Sequence, residues 1–396
     1  MRLFVPSERA AGETRVAASP ETVKKLIQLG FEVTVEAGAG RDSRISDAAF
    51  QAAGAAIGKA GDAGKADVVL RVRRPTADEA RACRKGALVI ATMDPHGHED
   101  VVEAMADAGI SAFAMEFMPR ITRAQVMDVL SSQANLAGYR AVIEAAAAYD
   151  RALPMMMTAA GTVPAAKVFV MGAGVAGLQA IATARRLGAQ VTATDVRAAA
   201  AEQVASLGAK FIMTDALKDA SGEGGYAREL TAEEKRAQAE LVAGHIAKQD
   251  IVITTALIPG RPAPLLVTKE MIASMAPGSV IVDLAVERGG NVEGSLAGEV
   301  VTIGEVTVVG HLNMAGRIAA SASLLYARNL HAFVETMVDK EKKALAVNWD
   351  DELVKATLLT RDGAIVHPAF AGKAKEPPAA AAGGADKPKG RKGGGQ

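Results

Sequence analysis

The chain holds one cysteine, Cys83, in 396 residues. A single thiol closes no internal disulfide, so the sequence fits a reducing compartment, and Cys83 reads as inert core rather than as a nucleophile. Aromatic residues are scarce, at 4%. Alanine and glycine take their place, which suits α/β architecture, where small residues let helices approach sheets closely. Neither sign of charge is in excess: Lys plus Arg and Asp plus Glu are 45 each. That balance offers no basic footprint for nucleic acid. Long hydrophobic runs are missing too. The most apolar stretch, Val168 to Ala184, carries Gln179, Thr183 and three glycines. It reads as a strand and a helix joined by a glycine turn, not as a membrane span. The opening MRLFVPSER is a strand and a loop, with no basic-then-apolar leader. The six histidines show no metal-ligand spacing with acids or Cys83, so no metal is expected.

What is present is alternation. LFVP, EVTVE, DVVLRV, ALVIAT and SAFAME read as strands, with PETVKKLIQLG, closed by Gly30, and HEDVVEAMADAG as helices between them. A second series follows: KVFVMG, QVTATD, KFIM, DIVITTAL, GSVIVDLA and VTVVGH. Two strand–helix series predict two doubly wound, Rossmann-like parallel-sheet domains joined by long helices. The Ala-rich NLAGYRAVIEAAAAYDRALP and a helical pattern from Ile318 to Phe333 are the expected connectors. The division predicted is 1–130 plus 318–372 for a discontinuous first domain and 131–317 for the second. Residues 373–396, rich in Ala, Pro, Gly and Lys, have no apolar periodicity and are expected to be a disordered tail. Thr231 and Glu234 form a capping-box pattern after a glycine cluster around Tyr226. Met155, Met156 and Met157 read as core filler.

The strongest motif is G-x-G-x-x-G at Gly172, Gly174 and Gly177, directly after a strand and opening a helix. Gly172 suits the tight turn, Gly174 a close backbone approach to a pyrophosphate, and Gly177 close helix–sheet packing. The helix N-terminus then faces the phosphates. Asp195 ends the next strand, where a carboxylate accepts from the adenosine ribose and repels a 2′-phosphate. This predicts NAD(H), with Arg197, two residues on, softening the preference.

Beyond this motif, the chain resembles the NAD-binding domain of proton-translocating transhydrogenase. The residues that carry the likeness are PRITRAQVMDVLSSQANLAGYRA (Pro119 to Ala141), PMMMTAAGTVPAAKVFVMGAGVAGLQAIATARRLGA (Pro154 to Ala189) and DIVITTALIPGRPAP (Asp250 to Pro264). PSERAAGETRVAASPETV is shared more widely, with alanine dehydrogenases. The resemblance implies that NADH held here passes hydride to NADP(H) on a partner domain, coupled to proton movement by a membrane-spanning partner. It implies a homodimer, cytoplasmic and peripheral on the inner membrane through its partner subunits, with no insertion of its own; the tail is where a fused chain would continue. By the same resemblance Arg120, Gln125, Asp128 and Ser131 match the loop at the nicotinamide end. Arg120 and Asp128 can pair, Asp128 and Ser131 can bond the carboxamide, and Gln125 faces the partner's nicotinamide. The residues alone favour a plainer reading, with Asp128 and Ser131 capping a helix. Gly225 and Tyr226 match a mobile loop that closes over nucleotide. Val175, Val196, Arg197, Gln238 and Leu257 match further nucleotide contacts.

Two other functions fit a dinucleotide fold: an alanine-type amino-acid dehydrogenase, or a non-catalytic NAD-binding regulatory module. Oxidising an amine needs a general base, whereas hydride exchange between two nicotinamides needs positioning and dryness. At the positions where alanine dehydrogenases use lysine, histidine and aspartate, this chain has Arg73, Asp94 and Glu287. Arg15 is retained and is read as a tie between domains; His96 and His98 lie close to Asp94 in sequence.

Overall fold

The computed structural model describes residues 1–213, 231–258 and 260–371. The glycine cluster with Gly225 and Tyr226, and the tail expected at 373–396, lie outside the described residues. In chain order the strands are β1 (Arg2–Val5), β2 (Glu32–Glu36), β3 (Ala56–Gly58), β4 (Val68–Arg73), β5 (Leu88–Thr92), β6 (Ser111–Ala114), β7 (Met156–Thr158), β8 (Gly161–Val163), β9 (Lys167–Met171), β10 (Gln190–Thr194), β11 (Lys210–Phe211), β12 (Ile251–Thr254), β13 (Val280–Asp283), β14 (Val300–Ile303), β15 (Val306–Val309), β16 (Val338–Asp339), β17 (Ala344–Leu345), β18 (Leu358–Arg361) and β19 (Ala364–Ile365). The helices are α1 (Pro20–Gln28), α2 (Asp47–Ala52), α3 (Ala77–Arg81), α4 (Glu99–Asp107), α5 (Val129–Ala148), α6 (Val175–Arg186), α7 (Ala200–Ser206), α8 (Ala232–Ile246), α9 (Lys269–Ala273), α10 (Ala319–Glu335) and α11 (Glu352–Thr357).

Two large sheets result. The first runs β19-β18-β6-β5-β4-β1-β2-β3 and the second β11-β10-β9-β12-β13-β15-β14. In each, the order reverses beside the first strand laid down, β1 in one and β9 in the other, the doubly wound pattern. Period-two alternation puts apolar side chains on both faces. Leu3 and Val5 enter one core of the first sheet and Phe4 the other; Val168 and Val170 face one core of the second and Phe169 and Met171 the other. Helix ends follow local chemistry. Ser19 caps α1 with Pro20 at its first position, and Gly30, at φ +98°, follows its end. Thr231 caps α8 reciprocally with Glu234.

Two long helices join the sheets, and their burial shows it. α5 places Val129 in the first core and Ala141, Val142 and Ala145 in the second; α10 places Tyr326, Leu330 and Phe333 in the first. α5 starts at Val129, ahead of the alanine-rich run, because Asp128 caps it.

Three features depart from the sequence reading. The sheets are not wholly parallel: β14 returns on β15 and β18 on β6, both antiparallel, towards the sheet edges. β3 is a short edge strand lying outside the strongly β-branched runs. Met155, Met156 and Met157 are not core. They are exposed, because β7 and β8 form a separate two-stranded hairpin with no layer to cover its face. Among the described residues no helix is long and apolar enough to cross a membrane.

Candidate functional site

Each doubly wound sheet has a crevice beyond its strand ends where the order reverses. In the second sheet the crevice lies between the loops after β9 and β12. Gly172 sits at φ +103°, and its N–H donates to the Thr194 carbonyl at 2.8 Å. A Cβ there would stand 2.4 Å from Thr255 Oγ1, and one on Gly177 only 1.8 Å from the Gly172 carbonyl oxygen. Strand, turn and helix are therefore packed as tightly as glycine permits. Gly174 differs: nothing lies within 4 Å of where its Cβ would be. It is the N-cap of α6 and supplies no capping side chain. The first N–H groups of a three-turn helix thus face open space, an anion cradle by geometry and by dipole. That cradle fits a dinucleotide's pyrophosphate.

The loop after β12 closes one side. Thr255 Oγ1 donates to the Gly172 carbonyl at 3.1 Å. Asn291, fully buried, accepts from the Ala256 N–H and donates to the Ala256 and Pro264 carbonyls. The buried Asp283 carboxylate in turn accepts from the N–H groups of Ala285, Asn291 and Val292. Leu257 and Val175 are exposed apolar residues on the two loops. Val196 and Arg197 follow Asp195, and Gln238 lies on α8, half-buried. Asp195 itself is buried, and its Oδ2 accepts the Ala173 N–H at 2.7 Å.

The 119–131 segment is fixed by alternating burial. Ala124 and Met127 anchor a short 3-10 helix (Thr122–Met127) in the first core, leaving Gln125 and Val126 exposed. Asn329 of α10 donates to the Val126 carbonyl at 2.8 Å, and Arg123 is held by Asp351 and Glu352. Arg120 is exposed before this turn. Asp128 accepts the Ser131 N–H at 2.9 Å and the Ser131 hydroxyl at 2.6 Å. The capping reading is thus present in the structure, and it holds the carboxylate at a defined place. Ten residues along α5, about 15 Å at the helical rise, Gly138 meets α6: a Cβ there would lie 2.0 Å from the Ala176 carbonyl oxygen. One helix therefore ties the 120–131 segment to the start of the phosphate helix. The sequence held a signal for this, since a lone glycine inside an alanine-rich helix costs about 1 kcal/mol and asks for a packing reason. Asn291 and Asp283 gave none.

In the first sheet the matching crevice is full of charge. Glu8 accepts the Val72 N–H, and Glu13 receives Arg15 at 2.7 Å through Nε and again through Nη2, with Arg73 Nε at 2.8 Å. Arg15 also donates to Gln133 of α5, so it ties the domains together. Asp94, at φ +44°, pairs across the cleft with Arg288 and lies 3.7 Å from Arg74. Glu287 accepts the Asn313 N–H at 2.5 Å. Arg73, Asp94 and Glu287 are each engaged by protein partners. His96 instead joins a ring cluster with Phe117 and Phe370. Cys83 donates to the Glu79 carbonyl, and burial pushes its thiol up to about 11. No group able to hold a metal ion occurs among the described residues.

Burial works against the Glu13 charge, but Arg15 and Arg73 outweigh it and bring the carboxyl from 4.5 down to about 2. A lowered folded value stabilises the protein above about pH 4.5, and the contribution is lost as pH falls towards 2. Glu13→Gln is expected to cost on the order of 3 kcal/mol at neutral pH and to flatten the acid limb. Urea unfolding at stepped pH reads this; an acid limb as steep as the native one would count against it.

Comparisons with known proteins agree with this geometry. The family described as Alanine dehydrogenase/PNT, N-terminal domain matches residues 4–137, and Alanine dehydrogenase/PNT, C-terminal domain matches 141–368. An NAD(P) transhydrogenase alpha subunit of Rhodospirillum rubrum is 55% identical over 382 residues, 94% of this chain and 100% of that protein. A transhydrogenase crystal structure from Sinorhizobium meliloti superposes with a TM-score of 0.86 at 67% identity, covering 92% of this chain and 100% of that one. Alanine dehydrogenase of Mycobacterium tuberculosis is more distant, at 33% identity over 74% of this chain and 75% of that protein.

Proposed function

Because the chain belongs to the alanine dehydrogenase/PNT family, alongside the transhydrogenase alpha subunits, we propose that it is the NAD(H)-binding subunit of a proton-translocating transhydrogenase. One observation carries this reading. Of two equivalent crevices, one is an open glycine cradle, and the other is closed by Glu13, Arg15, Arg73 and the Asp94–Arg288 pair. A dehydrogenase acting on a metabolite needs the second crevice and a base within it; an enzyme exchanging hydride between two nicotinamides needs only the first.

The nicotinamide supplies the hydride. The residues supply position. Gly172, Gly174 and Gly177 with the start of α6 hold the pyrophosphate, and Asp195 the adenosine ribose. Val175, Val196, Arg197, Gln238 and Leu257 line the nucleotide, and Gly225 and Tyr226 close over it. Asp128 and Ser131, locked together at the head of α5, receive the carboxamide and set the ring face. Arg120 closes on Asp128, and Gln125, exposed beside Val126, meets the nicotinamide of NADP(H) on a partner subunit. A membrane-spanning partner couples the transfer to protons and holds this chain at the cytoplasmic side of the inner membrane. The domains on this reading are 1–130 with 318–372, and 131–317, supported by β18 and β19 joining the first sheet. The same reading makes the protein a homodimer, for which the β7–β8 hairpin offers exposed Met155 and Met157.

The test mixes the chain with an NADP-binding partner domain, NADH and an NADP analogue. Reduction of the analogue is expected. Alanine-dependent NADH formation by the chain alone would overturn the proposal, and tight NADH binding with neither activity would make it a regulatory module.

A further inference from the structure

The Asp195 carboxylate is already full. Oδ1 accepts the Arg197 N–H at 2.8 Å and Arg197 Nε at 2.9 Å; Oδ2 accepts the Ala173 N–H at 2.7 Å and Arg197 Nη2 at 3.0 Å. An ionised carboxylate has about four lone-pair sites, so no site is left for the ribose hydroxyls that Asp195 is expected to receive. The two backbone donors belong to the phosphate turn and to the turn after β10, and they stay. The two guanidinium donors sit on a side chain that is 32% exposed, and they can leave. In the empty site, Arg197 thus stands in for the two ribose hydroxyls.

We propose that Arg197 is a specificity-determining residue. Its guanidinium occupies the ribose-recognising lone pairs of Asp195, is displaced by the incoming ribose, and remains beside the 2′ position. There it offsets the Asp195 charge and pairs with a 2′-phosphate, so that the site admits NADPH as a weaker second ligand. The inference rests on the dinucleotide reading of the glycine loop. Physically, a bare carboxylate repels a 2′-phosphate, whereas a neighbouring arginine accommodates one by a bidentate, charge-assisted pair. A guanidinium that only plugged Asp195 would compete equally with both nucleotides, because both bring a ribose to the same carboxylate.

The test titrates NADH and NADPH separately into the full chain and into Arg197→Gln, reading nucleotide fluorescence. The ratio of the NADPH to the NADH dissociation constant is expected to rise at least about tenfold in Arg197→Gln. Arg197→Lys, which keeps the charge but loses the planar fork, should fall between. NADH binding with an unchanged ratio in Arg197→Gln would overturn the inference and leave the dinucleotide reading standing. So would native chain that binds NADH but no NADPH at millimolar concentration. Native chain that binds neither nucleotide would overturn both.

Discussion

Gly174→Ala is expected to fold as the native chain does and to lose NADH binding by about 100-fold. The two halves of this expectation have separate causes. The φ of Gly174 is −75°, open to any residue, and no atom lies within 4 Å of the new methyl. The empty protein therefore has no reason to notice the change, and exchanging glycine for alanine removes freedom from the unfolded chain. The same empty space is where a pyrophosphate must come within hydrogen-bond reach of the first N–H groups of α6. A methyl group there holds it off. Gly177→Ala is the internal contrast: its Cβ would stand 1.8 Å from the Gly172 carbonyl oxygen. Helix and strand must part, at a cost of about 3 kcal/mol. Thermal unfolding and NADH titration of both variants separate the roles. A Gly174→Ala protein as unstable as Gly177→Ala, or one binding NADH normally, would rule out the cradle as the pyrophosphate site.

The second large effect concerns Asp128. Asparagine and aspartate cap helices about equally well, so Asp128→Asn keeps an oxygen for the Ser131 N–H and leaves α5 in place. It loses the charge and an acceptor for the Ser131 hydroxyl, which now sits at 2.6 Å. If this pair sets the nicotinamide ring, hydride transfer to the partner's NADP analogue should fall about 100-fold, near 2.7 kcal/mol of barrier, while the NADH dissociation constant moves less than about threefold. Rapid-mixing transfer assays beside equilibrium titration decide it; equal loss of both would mean that Asp128 merely caps.

Much of the architecture was legible because it is written locally. Glycine spacing, a capping residue or a β-branched run needs only neighbours in sequence, so the phosphate turn, α6, Asp195 and the Thr231 cap could be read before any fold was known. Failure came where the cause lies elsewhere in the chain. Gly138 is glycine because of Ala176, and Asn291 is buried because of Ala256 and Pro264. The three methionines at the β7–β8 hairpin are apolar by composition but belong to no layer, so hydrophobicity misplaced them. The antiparallel edges escaped for a similar reason: β14 turns back through Gly304, at φ +62°, and the strand patterns alone did not state a direction. The crevice of the first sheet was readable as a set of residues, Arg15, Arg73, Asp94 and Glu287, but not as a closed one, since that depends on which carboxylate each charge finds.

The membership of the first sheet has a consequence for how the chain is made. β9 to β15, the whole second sheet, comes from one unbroken stretch of chain, so it can assemble as soon as that stretch has left the ribosome. The first sheet begins earlier but finishes later. The edge of β6 waits for β18, and the Ala112 N–H meets Thr360 across 248 residues. The half of the molecule synthesised first is thus the last to be completed. Throughout that interval its nascent sheet carries a bare strand edge, the kind of surface on which a chaperone or a neighbouring nascent chain can settle.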